Sequence, residues 1–248
     1  MSIWRSLGIG TALVAGLALL LGCDDHGTMT GPKLGPSAAR VSAASVSAGH
    51  VLLITEENTN FASVTSSSMP YLMGLAAQYS MATQYYANTH PSVGNYFELA
   101  TGQILTNDDN TSTIQTVDNV VRELVKAGKS WKSYEENLPS VGYLGPDVGS
   151  FARKHAVYSL LSDVANSPTQ AQNLVPFTQF ASDLKAGTLP NFSNIVPNLC
   201  NDAHDCSLGT ADGWLKTNIA PLLASLPFPN HACRAASPVL WVTVQAML

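Results

Sequence analysis

Two carboxylates and an amide follow a short apolar run in the first third of the chain. Residues 51–55 are typical of a buried strand, and Glu56, Glu57 and Asn58 come directly after them. In open α/β sheets, ligands bind beyond the carboxyl ends of the strands. Carboxylate and amide oxygens at that position suit a hard divalent cation, so the pattern predicts a metal site. A solvated loop that carries these acids by chance is the alternative.

A hydroxyl group stands at the predicted start of a helix, at Ser92. The pair His90-Pro91 precedes it, and residues 93–100 have a helical pattern. The free N–H groups and the dipole of a first helical turn favour a phosphate. A serine hydroxyl becomes a nucleophile when a base or a metal lowers its pKa, and Asn95, one turn further on, could donate its amide to a phosphoryl oxygen. The alternative is that Ser92 only caps the helix.

A second polar cluster lies between Cys200 and Cys206. Cysteines at this spacing in a polar stretch could close a small disulfide in an oxidising compartment, and a pair of metal-binding thiols is the alternative. An export signal at the N-terminus and the acidic neighbours favour the disulfide. Asp202, His204 and Asp205 lie between the cysteines, and this run could ligate a metal, serve as acid and base, or be a surface turn.

A further histidine, His155, follows two basic residues, Arg153 and Lys154. A histidine in this setting could bind a phosphate, and a solvated turn is the alternative. His50 lies directly before the first predicted strand, and we expect it to be structural.

Apolar periodicity predicts alternating strands and helices. Gly128 would stop the third helix, and the run Ser66-Ser67-Ser68 is available to cap the first. This alternation predicts an α/β fold, a three-layer sandwich with a mostly parallel central sheet. The expected strands cover 51–55, 130–134 and 192–196, and the expected helices cover 69–78, 93–100, 114–127 and 210–224.

The N-terminus has the features of a lipoprotein export signal. Arg5 precedes an uncharged run, and Leu20-Leu21-Gly22-Cys23 matches a bacterial lipobox; a simple membrane anchor is the alternative. The net charge is −5 and no Lys/Arg cluster occurs, which argues against a nucleic-acid partner. We expect a signal peptide at 1–22, a flexible tether at 23–49, a folded domain at 50–226 and an atypical tail at 227–248.

Four separated motifs resemble those of the bacterial phosphoesterase family. This family includes secreted acid phosphatases, phosphatidylinositol 3-phosphatase-like enzymes and phospholipases C of the phosphatidylcholine type. The resemblance runs in order from about His50 to Leu226, and it implies an alkaline-phosphatase-like fold. The motifs are EEN-x-x-F from Glu56, HPS-x-x-NY from His90, WKSYEE from Trp131, and PNLCND-x-HDC from Pro197, the last followed by ADGWL.

The resemblance also implies roles for individual residues. It places the nucleophile on Ser92 and a phosphate-binding amide on Asn95. It places metal ligands on Glu57 and Asn58, with the hydroxyl of Ser92 beside them. The implied cofactor is therefore a divalent metal ion, whose identity the motifs do not specify.

The implied reaction is hydrolysis of a phosphate monoester through a phosphoserine intermediate, as in an acid phosphatase. His204 or His155 would protonate the leaving group, and His155 could also bind the phosphate. The expected partners are a small phosphate monoester or a phospholipid head group, and a membrane that holds the exported protein through a lipid on Cys23. The alternatives are a phospholipase C-type phosphodiesterase and a non-catalytic cell-envelope lipoprotein derived from such an enzyme.

The sequence departs from the family pattern in two places. Gly94 stands where proline is usual. After residues 219–223 the family continues with a strand that ends in a Thr-x-Asp-Glu type motif and supplies further metal carboxylates, whereas no residue after Asp212 is acidic here. The tail therefore looks truncated or out of frame. We expect a fold that is incomplete at the C-terminus through loss of a central strand, an incomplete metal shell, and weak or absent activity.

We expect the Cys23→Ser variant to carry no lipid, because serine offers no thiol for the thioether bond, and to be released from membranes or left unprocessed. Metabolic labelling with a radioactive fatty acid, followed by cell fractionation, measures both effects. The Cys233→Ser variant is the matched control and should keep the label. Label on the Cys23→Ser chain would contradict the assignment.

Overall fold

The computed structural model describes residues 49–225 and the backbone of residues 239–246. Short 3-10 helices in this part of the chain cover Phe61–Ser63 and Val157–Leu160. The strands are β1 (Val51–Thr59), β2 (Trp131–Glu135), β3 (Leu174–Pro176), β4 (Phe192–Val196) and β5 (Val239–Ala246). The α-helices are α1 (Pro70–Gln78), α2 (Val93–Thr101), α3 (Val120–Lys126), α4 (Ser162–Ala165), α5 (Pro168–Ala171), α6 (Thr178–Ala186) and α7 (Leu208–Ser225).

All strand pairs of the central sheet are parallel, in the order β3-β2-β4-β1-β5. The register pairs Ile54 of β1 with Ile195 of β4 on one side and with Val242 of β5 on the other. Parallel strands need crossover connections, and these place helices over both faces of the sheet. The predicted α/β sandwich with a mostly parallel sheet is confirmed.

Two apolar cores lie on opposite faces of the sheet. One packs α1, α6 and α7 against Leu52 and Ile54 of β1. The other packs α2, α3 and the 3-10 helix Val157–Leu160 against Trp131 of β2. Because successive side chains of a strand point to opposite faces, Glu56 points to the side of the first core and Glu57 to the side of α2.

Strand β1 is longer than predicted. It runs to Thr59, so Glu56, Glu57 and Asn58 lie within its carboxyl end and do not follow it. The pairing of β1 with β5 shifts register between Glu56 and Thr59, and Asn58 has a φ of 51°, a left-handed conformation that asparagine tolerates better than most residues. This irregularity interrupts the alternation of faces, and it lets the neighbouring side chains of Glu57 and Asn58 reach one cleft.

The helix predicted at 114–127 is wrong in its first half. Helix α3 begins only at Val120, because the side chain of Asn119 accepts a hydrogen bond from the backbone N–H of Arg122 and caps the helix there. The residues before it are not helical, and Gln115 forms an isolated parallel bridge with Leu161. The apolar spacing of this segment therefore covers a non-helical run followed by a short helix.

The C-terminal strand also differs from expectation. Helix α7, predicted over 210–224, runs from Leu208 to Ser225 and continues through Pro221. The expected loss of a central strand is wrong, since β5 pairs with β1 along its length and β1 is not an edge strand. No acidic residue occurs in β5, whose Val244 pairs with Glu56. Strand β5 therefore adds no carboxylate beside Glu57.

The predicted signal peptide, most of the tether, Cys23 and Cys233 lie outside the described residues. Within the described ranges, no helix is both long enough and apolar enough to cross a membrane.

Helix α1 is capped by a residue from a distant part of the chain. The carboxylate of Asp212, in α7, accepts hydrogen bonds from the backbone N–H groups of Tyr71 at 2.9 Å and Leu72 at 2.8 Å. No side chain at the N-cap position makes a capping bond, so the predicted cap by the serine run 66–68 is wrong. The same carboxylate thus joins α7 to α1 across the first core.

We expect Asp212→Ala to lower the free energy of unfolding by about 1–2 kcal/mol, because it leaves two buried N–H groups without acceptors. Urea denaturation measures the change. The Ser66→Ala variant is the control and should alter stability by less than about 0.5 kcal/mol. Equal losses in the two variants would contradict the assignment of the cap to Asp212.

Candidate active site

A cleft of about 230 Å³ lies at the carboxyl end of the sheet, where β1 ends and α2 begins. Ligands of open parallel sheets bind at this edge. Asp109, which no sequence argument singled out, also lines it. The predicted site residues that line the cleft are Glu57, Asn58, Ser92, Asn95 and His204.

The hydroxyl of Ser92 donates a hydrogen bond to Oε2 of Glu57 at 3.1 Å. Ser92 occupies the N-cap position of α2, yet its side chain makes no capping bond. Oδ1 of Asp109 accepts the hydrogen bond from the backbone N–H of Val93 at 3.1 Å and caps the helix in its place. The interpretation of Ser92 as only an N-cap is therefore wrong.

The carboxylate that receives this hydrogen bond is buried, with Glu57 2% exposed. Its Oε2 also accepts from the backbone N–H of Asn58 at 3.1 Å, while its Oε1 has no hydrogen-bond partner among the described residues. The solvated-loop interpretation is wrong for this residue. Burying a carboxylate with an unpartnered oxygen is costly, so such a group needs an explanation beyond stability.

His155 lies behind Glu57 and is 1% exposed. Its Nε2 is 3.7 Å from Oε1 of Glu57, its Nδ1 is 3.0 Å from Oδ2 of Asp202, and the ring of Tyr96 stacks on it with centroids 4.8 Å apart. The solvated-turn interpretation of His155 is wrong. The sequence argument expected His155 to contact a phosphate directly. The ring is instead buried and does not line the cleft, and its contacts hold Glu57 in place.

The phenol of Tyr96 stays neutral in this setting. Burial, together with the nearby carboxylates of Glu57 and Asp202, raises the pKa of Tyr96 well above its ordinary value. A neutral hydroxyl adds no negative charge next to Glu57.

His204 lines the cleft with both ring nitrogens engaged. Its Nε2 is 3.3 Å from Nζ of Lys154, and its Nδ1 is 2.7 Å from Oδ1 of Asp205. Since an ammonium group can only donate, Nε2 accepts and the Nδ1–H donates to Asp205. Lys154 also pairs with Oδ2 of Asp109 at 3.2 Å. Asp109, Lys154, His204 and Asp205 thus form a continuous row of polar contacts beside the cleft.

The loop that carries His204 is closed by a disulfide. Cys200 and Cys206 are bonded, with their Cα atoms 4.6 Å apart. Glu136, at the end of β2, accepts a hydrogen bond from the backbone N–H of Asn198 at 2.9 Å and from the side chain of Asn201 at 2.9 and 3.0 Å. These bonds attach the loop to the carboxyl end of the sheet.

Asp202 ties the same loop to the side of the cleft where Glu57 lies. Its backbone oxygen accepts from the N–H of Glu57 at 2.6 Å, and its Oδ1 accepts from the N–H of His204 at 2.8 Å. Its Oδ2 faces His155. One buried residue therefore positions three side chains of the site.

The amide of Asn95 is used mainly to hold the turn that leads into α2. Its Oδ1 accepts from the backbone N–H groups of Asn88 at 2.9 Å and Thr89 at 3.2 Å, and its Nδ2 donates to the oxygen of Thr89 at 2.8 Å. An amide nitrogen has two N–H donors, so one remains for a ligand in the cleft.

Two other strand-end acids do not line the cleft. Glu56 is fully buried on the opposite face of the sheet, where burial and the carboxylates of Asp202 and Asp212 raise its pKa well above the ordinary value. Burial raises the pKa of Glu135 in β2 to about 8. Glu56, which the strand-end pattern included among the candidate cation ligands, therefore does not reach the cleft, and that part of the prediction is wrong.

The residues that could hold a cation are the oxygen donors of Glu57, Asn58 and Ser92. Their chemistry fits a hard divalent ion, and the unpartnered Oε1 of Glu57 is the kind of atom that such an ion would satisfy. Among the described residues, no group of three or more His, Cys, Asp or Glu side chains is arranged to hold a metal. Glu57, Asn58 and Ser92 together carry one formal negative charge, that of the Glu57 carboxylate.

Sequence reasoning missed Asp109 and gave no role to Lys154. Asp109 stands in a polar TNDDN run that has no periodicity or motif to mark it. Its function depends on its contact with α2, which only the folded chain brings about.

The match to known proteins agrees with this geometry. The chain belongs to the phosphoesterase family, whose family model matches residues 52–232. The match includes all the cleft-lining residues described above.

Curated relatives are similar over part of their length. A phosphatidylinositol-3-phosphatase of Mycobacterium tuberculosis is 34% identical over 174 residues, which cover 69% of this chain and 56% of that protein. A probable acid phosphatase of Kluyveromyces lactis is 33% identical, with 69% of this chain and 42% of that protein covered. An acid phosphatase of Aspergillus fumigatus is 34% identical, with 63% and 37% covered. The chain thus spans about half or less of the length of these relatives.

We expect Gly94→Ala to disturb the start of α2. A Cβ at Gly94 would lie 2.4 Å from Oδ1 of Asn107 and 2.5 Å from Cγ2 of Thr89, so these side chains must move, and the backbone oxygen of Thr106, at 3.1 Å, leaves little room. Overpacking of this kind costs about 1–3 kcal/mol. Urea denaturation measures the loss.

Gly74→Ala is the matched control, because Gly74 also lies inside a nine-residue helix and a Cβ there meets nothing within 4 Å. This variant should be more stable by about 0.5–1 kcal/mol. If Gly94→Ala were stabilised to the same degree, the close packing at the start of α2 would be refuted.

Proposed function

We propose that this protein hydrolyses phosphate monoesters through a phosphoserine on Ser92, as an acid phosphatase-like enzyme. The observation that carries the proposal is the hydrogen bond from the Ser92 hydroxyl to the buried carboxylate of Glu57. The cap supplied by Asp109 leaves that hydroxyl free for chemistry. The names of the relatives, which are phosphatases, support the same class of substrate.

In the proposed reaction, the Ser92 oxygen attacks phosphorus as its proton passes to Glu57. The new O–P bond forms as the ester O–P bond breaks on the opposite side. The positive end of the α2 dipole and the remaining N–H of Asn95 stabilise the charge on the phosphoryl oxygens. Water then hydrolyses the phosphoserine and releases inorganic phosphate.

The leaving alkoxide needs a proton, and we propose that His204 supplies it from Nε2, once that nitrogen has taken up a proton from Lys154, which donates a hydrogen bond to it. His204 lines the cleft, between Lys154 and Asp205, whereas His155 is buried behind Glu57. Of the two histidines predicted for this role, His204 is therefore the one that a substrate in the cleft can reach.

We also propose that a divalent cation binds to Glu57, Asn58 and Ser92. When bound, it would lower the pKa of the Ser92 hydroxyl and offset negative charge on the phosphate. Export of the protein and its lipid attachment at Cys23 belong to the same proposal, and they rest on the N-terminal sequence.

A non-catalytic lipoprotein derived from such an enzyme is the second candidate. The observation in its favour is the small negative charge of the proposed metal set, because Glu57 is its only carboxylate and β5 carries no acidic residue. Sites that hold divalent ions tightly use more oxygen ligands than these three.

We expect Ser92→Ala to reduce turnover of a phenolic phosphate by several orders of magnitude, towards the roughly million-fold loss seen when a hydrolase nucleophile is removed. The purified protein is assayed with and without added divalent metals, and its metal content is measured. Acid quenching with a labelled substrate should trap phosphate on the parent protein and none on the variant. Ser66→Ala, at an exposed turn position, is the control and should retain turnover and labelling.

Two results would change the proposal. If the Ser92→Ala variant retained turnover, the nucleophile would be a water molecule and not the serine. Turnover and metal that are both absent from the parent protein, in a chain that folds by circular dichroism, would favour the non-catalytic candidate.

A further inference from the structure

A second groove adjoins the cleft that contains Ser92. We call the Ser92 side of the two cavities the phosphate end, because the proposed function places the phosphate of the substrate there. The groove has a volume of about 290 Å³, and it shares Ala87 and Asn95 with the cleft that contains Ser92. An engineered cavity of roughly 150 Å³ is enough to hold a benzene molecule. The groove is thus large enough for the organic part of an ester whose phosphate lies at Ser92.

The walls of the groove are aromatic and apolar at its outer end. Tyr85, Tyr86 and Leu99 line it, and the ring of Tyr86 is 51% exposed. Exposed aromatic rings favour offset or edge contacts with other rings. A planar aromatic group therefore fits this wall better than a flexible polar chain.

One charged side chain lines the groove, and it is acidic. Glu98, in the middle of α2, is half-buried, and its Oε2 accepts a hydrogen bond from Nδ2 of Asn88 at 2.8 Å. No lysine, arginine or histidine is among the described residues that line the groove. An anionic substituent would meet Glu98 with no cation to offset it, whereas an amino group would be attracted.

Charge is thus distributed unequally along the two connected cavities. Glu57, Asp109 and His204 line the cleft, where Lys154 bonds to Asp109 and to His204, while Glu98 is the charged residue of the groove. Lys154 and the start of α2 can offset the negative charge of a phosphate, whereas an organic part that is neutral or positive avoids repulsion by Glu98.

We infer that this groove, lined by Tyr85, Tyr86, Glu98 and Leu99, is the leaving-group subsite, and that it selects aromatic phosphate monoesters whose organic part is neutral or cationic. The inference rests on the proposed function, since it takes Ser92 as the site of the phosphate. It adds the chemical class of the alcohol that the reaction releases.

Binding of phosphonates, which are not hydrolysed, tests the subsite separately from catalysis. Methylphosphonate probes the phosphate end alone, and benzylphosphonate adds one ring. By isothermal titration calorimetry we expect benzylphosphonate to bind about two- to tenfold more tightly. Tyr86→Ala should remove this gain without changing the affinity for methylphosphonate, and Tyr86→Phe should retain it.

A charged pair of ligands tests the role of Glu98. We expect a benzylphosphonate with a para-aminoethyl group to bind about two- to fivefold more tightly than one with a para-carboxyethyl group. Glu98→Gln should abolish this difference. Glu123→Gln, which removes the same charge from an exposed position on α3 outside the groove, should preserve it.

The outcomes separate this inference from the proposed function. If methylphosphonate binds and the ring adds nothing, or if Tyr86→Ala keeps the full gain, the subsite is refuted while the phosphate site stands. A tighter carboxyethyl ligand would refute the charge selection. If neither phosphonate binds, the phosphate site fails and the subsite fails with it.

Discussion

The site depends on one hydrogen bond, from the hydroxyl of Ser92 to the buried carboxylate of Glu57. A serine at the start of a helix normally satisfies a backbone N–H of the first turn, and its hydroxyl is then occupied. Here Asp109 supplies that cap from a segment beyond the end of α2. The hydroxyl is consequently directed at β1 and across the cleft.

Burial of Glu57 imposes requirements on the residues around it. A buried carboxylate is tolerated when neighbouring groups are fixed by hydrogen bonds. Asp202 provides this order, because it bonds the backbone of Glu57, the ring of His155 and the backbone of His204. The disulfide and Glu136 hold the loop of Asp202 in turn. The cleft is therefore fixed before any ligand binds, which is the arrangement that electrostatic catalysis requires.

Helix α2 contributes to both cavities from one short segment. Its first residues face the phosphate end, where Asn95 holds the turn before Ser92, and Glu98 faces the adjoining groove. The close approach of Gly94 to Thr89 and Asn107 keeps the helix against this turn. A change in the position of α2 would consequently affect Ser92 and the proposed leaving-group subsite together.

Elements with local sequence signals could be predicted before the fold was known. Strand β4 has the predicted bounds, and Gly128, with a φ of 65°, follows the end of α3 as expected. The candidates Glu57, Asn58, Ser92, Asn95 and His204 were also identified from residue type and neighbouring pattern, and they line one cleft. Side-chain periodicity and backbone preferences act over a few residues, so a local stretch of sequence contains them.

The partners of the polar groups, in contrast, depend on contacts between segments that are far apart in the chain. Asp212 caps α1 from a distant position in the chain. Asp109, and not Ser92, caps α2. His155 is buried beside Glu57 and contacts its carboxylate. The helix predicted at 114–127 was wrong in its first half for a related reason: Gln115 pairs with Leu161, which lies outside that segment. Such hydrogen bonds and burial join residues that are distant in sequence, so the residue spacing within one segment does not predict them.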